Sequence, residues 1–150
     1  MNIQINCDQH LYSKISNYLN FFYAGELRPD IKSLTYDLTI RRDPPAVPIN
    51  AVKTLKAADI TCYRNDTDSY FALNNGSIIH YNPVLMRAVG FIKKESLTDL
   101  AGLFSLIGAP ISENLKYNAL YSFHSAALLS NGVGYLFSGD SGSGKTTSTL

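Results

Sequence analysis

Residues 133–146 read Val-Gly-Tyr-Leu-Phe-Ser-Gly-Asp-Ser-Gly-Ser-Gly-Lys-Thr, a short apolar run followed by a glycine-rich segment. From Gly139 to Thr146 the sequence fits the pattern G-x-x-x-x-G-K-[ST] at every position. By chance, a chain of this length carries that pattern on the order of once in a hundred or less. The apolar run predicts a short buried strand, and a helix can begin at Lys145. Strand, glycine loop and helix form a phosphate-binding P-loop, so the segment predicts a nucleotide site in an α/β fold.

Each residue type in the motif suits phosphate chemistry. The three glycines let the backbone turn so that successive N–H groups point at phosphate oxygens, and the helix N-terminus adds partial positive charge. Lys145 would bring a full charge to the β- and γ-phosphates, and the Thr146 hydroxyl is the expected Mg²⁺ ligand. The expected cofactors are therefore ATP and Mg²⁺.

His124 is a second candidate site residue, because it precedes the strand-like residues 125–130. Asn131-Gly132 separates that run from residues 133–137, and the pair is typical of a tight hairpin turn. In such a hairpin the start of the first strand lies beside the end of the second, which places His124 near the P-loop. A histidine hydrogen-bonded in the core is the alternative. His10 and His80 are expected to serve packing or to lie on the surface.

Composition limits the classes of protein that the chain can belong to. Its 150 residues suffice for about one domain, and 45% hydrophobic with 17% charged residues is typical of a folded soluble protein. A net charge of +1 argues against nucleic acid as a partner. No apolar stretch approaches a membrane span, and the N-terminus is unlike a signal peptide. Cys7 and Cys62 form no C-x-x-C pair, so a cytoplasmic location with reduced thiols is expected.

Residues 1–94 predict a strand-rich module with one helix. Apolar residues alternate in the first strand and again in residues 34–41, and between them Leu11, Ile15, Leu19 and Phe22 form a helical stripe after a capping Asp8. Asn74-Asn75-Gly76 predicts a hairpin between residues 70–73 and 77–80.

Residues 95–121 predict two helices. The first begins near Ser96 and Asp99 and ends at Gly108 and Pro110, and Ser112 caps the second.

The region around the P-loop resembles the catalytic domain of bacterial HPr kinase/phosphorylases. The similar features are His124 with the apolar residues 125–129, the Gly-Val-Gly segment 132–134, and the loop from Gly139 to Thr146. The preceding region is more similar to HPr-kinase-related proteins of peptide-maturation clusters, and the fold also resembles phosphoenolpyruvate carboxykinases. The resemblance implies that His124 neighbours the transferred phosphoryl group, that Asp140 and Ser141 shape the loop, and that a serine of a small protein or peptide is phosphorylated. The nucleotide-binding candidates are then Gly139, Asp140, Ser141, Gly142, Ser143, Gly144, Lys145, Thr146 and Thr147.

The expected architecture is α/β, with a strand-rich module (1–94) followed by a helical connection and an incomplete P-loop kinase core (95–150). Phosphoryl transfer also needs a carboxylate for Mg²⁺ and a base for the acceptor hydroxyl. The resemblance implies that both follow the P-loop helix, where this chain has no residues. The chain is therefore either the N-terminal portion of a longer kinase or a complete remnant, and no independent turnover is expected.

Two other classes of function remain open. ABC-type ATPases also carry loops that read SGSGKTT, but usually near the start of the domain, whereas 138 residues precede the loop here. A partner-binding module with a vestigial P-loop is the other alternative, and it predicts no nucleotide affinity. Family members are often oligomers, so by analogy a homo-oligomer is expected.

Overall fold

The structure is a computed structural model that describes residues 2–20, 33–117, 119–120, 125–140 and 142–144. Within these residues the chain forms nine strands, two α-helices and one short 3₁₀ helix. In chain order the elements are β1 Asn2–Asn6, α1 Gln9–Asn20, β2 Ser33–Ile40, β3 Val52–Ala57, β4 Ile60–Asn65, β5 Asp68–Leu73, β6 Ile78–Asn82, β7 Arg87–Ile92, the 3₁₀ helix Lys94–Leu97, α2 Leu100–Tyr117, β8 Ser125–Ser130 and β9 Val133–Ser138.

Strands β1 to β7 form one mixed sheet in the order β1-β2-β7-β6-β5-β4-β3. Strand β2 pairs parallel with both β1 and β7, whereas β3 to β7 form a continuous antiparallel meander. Parallel strands need a crossover connection, which α1 provides between β1 and β2. The mixed sheet with its helices confirms the predicted α/β class and the strand-rich character of residues 1–94. The structure does not test the finer expectation of a kinase core.

The main core lies between this sheet and the two helices. Successive side chains of a strand face opposite sides of the sheet. One of these two faces packs against the helices, and its side chains are buried in β2, β5, β6 and β7. On α1 and α2, the buried leucine and isoleucine side chains are Leu11, Ile15, Leu103, Leu106 and Ile107. Full burial of one such side chain stabilises a fold by about 1.5–3 kcal/mol.

Helix α1 begins as predicted from the sequence. The carboxylate of Asp8 accepts a hydrogen bond from the backbone N–H of Leu11 at 2.9 Å, which satisfies one of the unpaired donors of the first turn. Leu11 and Ile15 of the predicted apolar stripe are buried, and Leu19 is half-buried. Phe22, the last member of that stripe, lies outside the described residues.

The predicted hairpin at Asn74-Asn75-Gly76 is confirmed. Strands β5 and β6 pair antiparallel on either side of it, and Gly76 has a φ of +93°, which glycine adopts without steric cost. The side-chain carbonyl of Asn75 accepts a hydrogen bond from the N–H of Ser77 at 2.9 Å and so closes the turn.

The prediction of two helices in residues 95–121 is wrong, since α2 continues through Gly108 and Pro110 to Tyr117. Proline removes one helical N–H donor, yet Pro110 is fully buried, and packing against the sheet outweighs that local loss. Asp99 does cap α2, accepting from the N–H of Gly102 at 3.1 Å. Ser96 belongs to the 3₁₀ helix instead, where its hydroxyl lies 2.7 Å from that of Ser77.

Helix α2 shares its core with the strands of the N-terminal region. The hydroxyl of Tyr81 on β6 donates to the side-chain oxygen of Asn114 at 2.9 Å, and both residues are buried. The aromatic ring of Tyr18 on α1 stacks on that of Phe104 on α2, with centroids 4.3 Å apart. The core therefore extends across the division at residues 94 and 95 that the sequence suggested.

Among the described residues, no helix has the length and apolar character needed to span a bilayer.

Candidate nucleotide-binding site

The segment before the P-loop motif is an antiparallel hairpin of β8 and β9, as predicted. The two strands pair from Ser125 with Ser138 to Ser130 with Val133. Asn131 and Gly132 connect them, with φ angles of +52° and +76°. Two successive positive φ values are required by a type I′ turn, and Asn-Gly is the residue pair that adopts them most readily. The motif therefore leaves directly from the end of a strand.

The prediction that residues 133–137 form a buried strand is correct for the strand and wrong for its burial. In β9 only Phe137 is half-buried, and the other residues are exposed. In β8, Leu129 is 74% exposed, and in β9 Leu136, which pairs with Ala127, is 68% exposed. A two-stranded hairpin has too few neighbours to bury its own side chains, and such hairpins are marginally stable alone. Within the described residues, the apolar faces of this hairpin remain largely uncovered.

The glycines of the motif shape a tight turn after β9. The N–H of Ser143 donates to the carbonyl of Asp140 at 3.1 Å, and Gly142 within that turn has a φ of +81°. Gly144 has the same φ, and a Cβ added to Gly142 or to Gly144 would meet no atom within 4 Å. At Gly139, in contrast, a Cβ would lie 2.8 Å from the Ser143 hydroxyl oxygen. In the described part of the loop, the backbone at Gly139 thus lies close to the Ser143 side chain, and the space beside Gly142 and Gly144 is open.

Several predicted site residues lie outside the described residues: His124, Ser141, Lys145, Thr146 and Thr147. The hairpin register nevertheless bears on the expected proximity of the histidine to the loop. Ser125, which follows His124 in the chain, is the partner of Ser138, which precedes Gly139. The residue after His124 and the residue before the P-loop motif are therefore paired across the hairpin. A role for His124 at phosphate remains a prediction.

The other two histidines lie on the predicted elements. His10 is exposed on α1. The Nε2 atom of His80 lies 2.9 Å from a carboxylate oxygen of Asp68, and its ring stacks on Tyr70 with centroids 4.8 Å apart. The second carboxylate oxygen of Asp68 accepts from the Asn82 amide at 2.7 Å.

Acidic residues before the motif act in local structure. Asp59 accepts a hydrogen bond of 3.3 Å from Asn74, and Asp99 caps α2. No group of three or more histidine, cysteine, aspartate or glutamate side chains among the described residues is arranged to hold a metal ion. A Mg²⁺ ion bound chiefly by nucleotide phosphates needs only one or two protein oxygens. The hydroxyl of Thr146 suits that requirement.

A second concave surface, which the sequence did not indicate, lies between α2 and the β3–β5 end of the sheet. This groove has a cavity volume of about 510 Å³. Ile60, Cys62 and Phe71 form its floor, while small residues of α2, including Gly108 and Ala109, form a wall. Its lining comes from segments more than 30 positions apart in the chain, so no local motif could reveal it.

The rim of the groove is charged. Arg64 on β4 forms an ion pair with Glu113 on α2, and the Lys116 ammonium lies 3.4 Å from the same carboxylate. Deeper in the groove, burial raises the pKa of the Cys62 thiol, and the negative charge of Glu113 adds to that effect. The thiol is therefore neutral near pH 7, which suits a packing role better than a nucleophilic one.

Comparisons with protein-family models, with curated proteins and with solved structures found no significant match to this chain.

Proposed function

We propose that this chain carries the ATP-binding part of an HPr-kinase-like serine kinase that acts on a small protein or peptide in the cytoplasm. The observation that carries the proposal is the complete P-loop motif beginning directly after β9 of an antiparallel hairpin. Positive φ values at Gly142 and Gly144 support it, since a loop that wraps phosphate needs backbone that only glycine adopts freely.

The proposed chemistry assigns separate tasks to separate residues. Backbone N–H groups of the loop would bind phosphate oxygens, and the Lys145 ammonium would balance the charge of the β- and γ-phosphates. The Thr146 hydroxyl would hold Mg²⁺, which neutralises developing charge when it is bound. His124 would lie beside the transferred phosphoryl group, consistent with the pairing of Ser125 and Ser138. ATP and Mg²⁺ are the proposed cofactors.

A full catalytic cycle would need groups beyond those assigned. The carboxylates of Asp59, Asp68 and Asp99 make other contacts, to Asn74, to His80 with Asn82, and to the start of α2. We therefore assign none of these three as the acceptor base or the second metal ligand. These 150 residues are therefore proposed to bind nucleotide without turning it over. Detectable phosphoryl transfer that depends on Lys145 would contradict this part of the proposal.

The hairpin favours the kinase over the ABC-type ATPase alternative. The motif follows an antiparallel pair of strands, and a seven-stranded mixed sheet with its own core precedes both. An ABC-type subunit is expected to present its P-loop near the start of the domain. The alternative of a partner-binding remnant differs from the kinase proposal in one measurable respect: it predicts no affinity for nucleotide.

Calorimetric titration of the chain with Mg·ATP tests the proposal. We expect saturable binding that Lys145→Ala abolishes and that Lys94→Ala, at an exposed position of the 3₁₀ helix, leaves unchanged. Circular dichroism would establish that each variant is folded. Absence of binding in the folded wild-type chain would reject the nucleotide site and favour the remnant. Equal binding by wild type and Lys145→Ala would reject the P-loop as its location.

A further inference from the structure

Strand β3 is an exposed edge of the seven-stranded sheet. It pairs with β4 on one side, is last in the strand order, and all six of its residues are exposed. An edge strand presents backbone N–H and C=O groups that can pair with another extended chain. A six-residue strand extends about 20 Å, enough to pair with a short peptide segment.

The groove opens at this edge. Leu55 of β3 lines it together with Cys62 of β4, its partner in the register, and Leu55 is 57% exposed. A strand added to β3 would point alternate side chains toward the space between the sheet and α2. Near Leu55, the groove thus offers contact to the side chains that an added strand would point toward α2.

The opposite side of the same edge is basic. Lys53 pairs with Tyr63 and Lys56 with Thr61, so both lysines lie on the sheet face away from Leu55. Neither lysine forms an ion pair within the described residues. An added strand would bring its other set of alternate side chains beside these two charges. Acidic side chains at those positions would be attracted to the two lysines, whereas basic side chains would be repelled.

The same charges disfavour a second copy of this chain as the occupant. Two β3 edges paired with each other would bring lysines together on one face, and like charges across strands are destabilising. The positive charges of Lys53 and Lys56 therefore favour a partner strand that carries negative charge.

We infer that β3 and the adjoining groove bind an extended acidic peptide segment, which pairs with the strand edge and alternates apolar with acidic residues. This inference rests on the proposed function in one respect, because the bound segment would belong to the serine-bearing protein or peptide substrate. The peptide would contact β3 and the groove, and the nucleotide would contact the P-loop. The affinity for each is therefore measured in a separate experiment.

Fluorescence anisotropy with labelled 12-residue peptides tests the docking surface. The probe alternates valine and glutamate, and one control replaces every glutamate by lysine. A second control keeps the valine–glutamate sequence but carries N-methyl groups on alternate backbone nitrogens, which removes strand pairing. We expect the first peptide to bind at least tenfold more tightly than either control.

Protein variants locate the binding. The double variant Lys53→Glu/Lys56→Glu is expected to weaken binding of the glutamate peptide at least tenfold, without loss of secondary structure at these exposed positions. Its charge-matched control is Arg42→Glu/Lys94→Glu, at exposed positions that follow β2 and β7, and it should change affinity less than twofold. Leu55→Asp should also weaken binding, because it places charge at the groove.

Three outcomes of the peptide measurements would overturn the inference. They are no binding of the glutamate peptide to the folded chain, equal binding of the N-methylated peptide, and equal loss in the two charge-reversal variants. A dimer in sedimentation that Lys53→Glu/Lys56→Glu disrupts would also overturn it, by assigning the edge to a second copy. Peptide binding by a folded wild-type chain that fails to bind Mg·ATP would support docking while rejecting the nucleotide proposal.

Discussion

The hydroxyl of Tyr36 donates a buried hydrogen bond of 2.7 Å to the backbone carbonyl of Ile107, 71 positions later in the chain. It connects β2, the second strand from one edge of the sheet, to the part of α2 that precedes Pro110. Proline cannot supply the helical N–H that the carbonyl of Leu106 would normally accept. A tyrosine from the sheet thus binds the helix backbone at its locally weakened turn, and this contact helps to explain why α2 continues through the proline.

Tyr36→Phe should destabilise the fold. The substitution removes the hydroxyl and leaves the ring, so the loss is that of one buried hydrogen bond, about 1–2 kcal/mol. Urea unfolding followed by circular dichroism would measure it, with Tyr12→Phe as the control because Tyr12 is 52% exposed. Equal stability of the two variants would show that this contact does not hold α2 on the sheet.

Stability should fall as the solution becomes alkaline above pH 10. Burial, with Tyr117 and Glu113 nearby, raises the pKa of Tyr81 from an ordinary 10.0 to about 12. Since the unfolded chain releases this proton first, the stabilising contribution is complete below pH 10 and is lost as pH rises toward 12. One such group gives a slope of about 1.4 kcal/mol per pH unit within that window.

Denaturant midpoints measured from pH 9 to 12 would determine this slope, and Tyr81→Phe should reduce it. Burial also raises the pKa of Tyr36 well above its ordinary value, so part of the slope should persist in the variant. An unchanged slope in Tyr81→Phe would contradict the assignment to Tyr81.

Gly90→Ala should destabilise the sheet, whereas Gly134→Ala should not. A Cβ on Gly90 would lie 2.5 Å from the Leu38 side chain and 3.0 Å from that of Ile79, both within the core. Overpacking of this kind costs about 1–3 kcal/mol. A Cβ on Gly134 would meet nothing within 4 Å. Thermal unfolding of the two variants compares them directly, and equal melting temperatures would refute the tight packing at Gly90.

Local patterns predicted much of the fold. Alternation of apolar residues located β2, and the turn at Asn74-Asn75-Gly76 located the β5–β6 hairpin. Asp8 and Asp99 cap the helices as expected. The turn at Asn131-Gly132 was also predictable, because its conformation depends on the two residues themselves. These features share one physical property: neighbouring residues alone determine them.

Features that depend on distant residues could not be predicted in this way. The proline in α2 signalled a helix end, yet contacts with β2 and β6 keep the helix continuous. The apolar residues of β9 signalled burial, which requires covering elements that the strand's own sequence cannot specify. The groove beside β3 likewise arises from the seven-strand order and the position of α2. The P-loop motif was recognisable because its pattern occupies eight consecutive residues.

Gly142→Ala should impair nucleotide binding without unfolding the chain. Space for the added methyl group is open, so the cost comes from the φ of +81°, which an alanine adopts only with about 1–2 kcal/mol of strain. The loop would relieve that strain by changing conformation, which would misalign its N–H groups for phosphate. We expect the Kd for Mg·ATP to rise about tenfold, since 1.4 kcal/mol corresponds to a factor of ten. Calorimetric titration beside Gly134→Ala, where neither strain nor contact arises, would measure this. An unchanged Kd in Gly142→Ala would mean that this backbone conformation is not the one that binds phosphate.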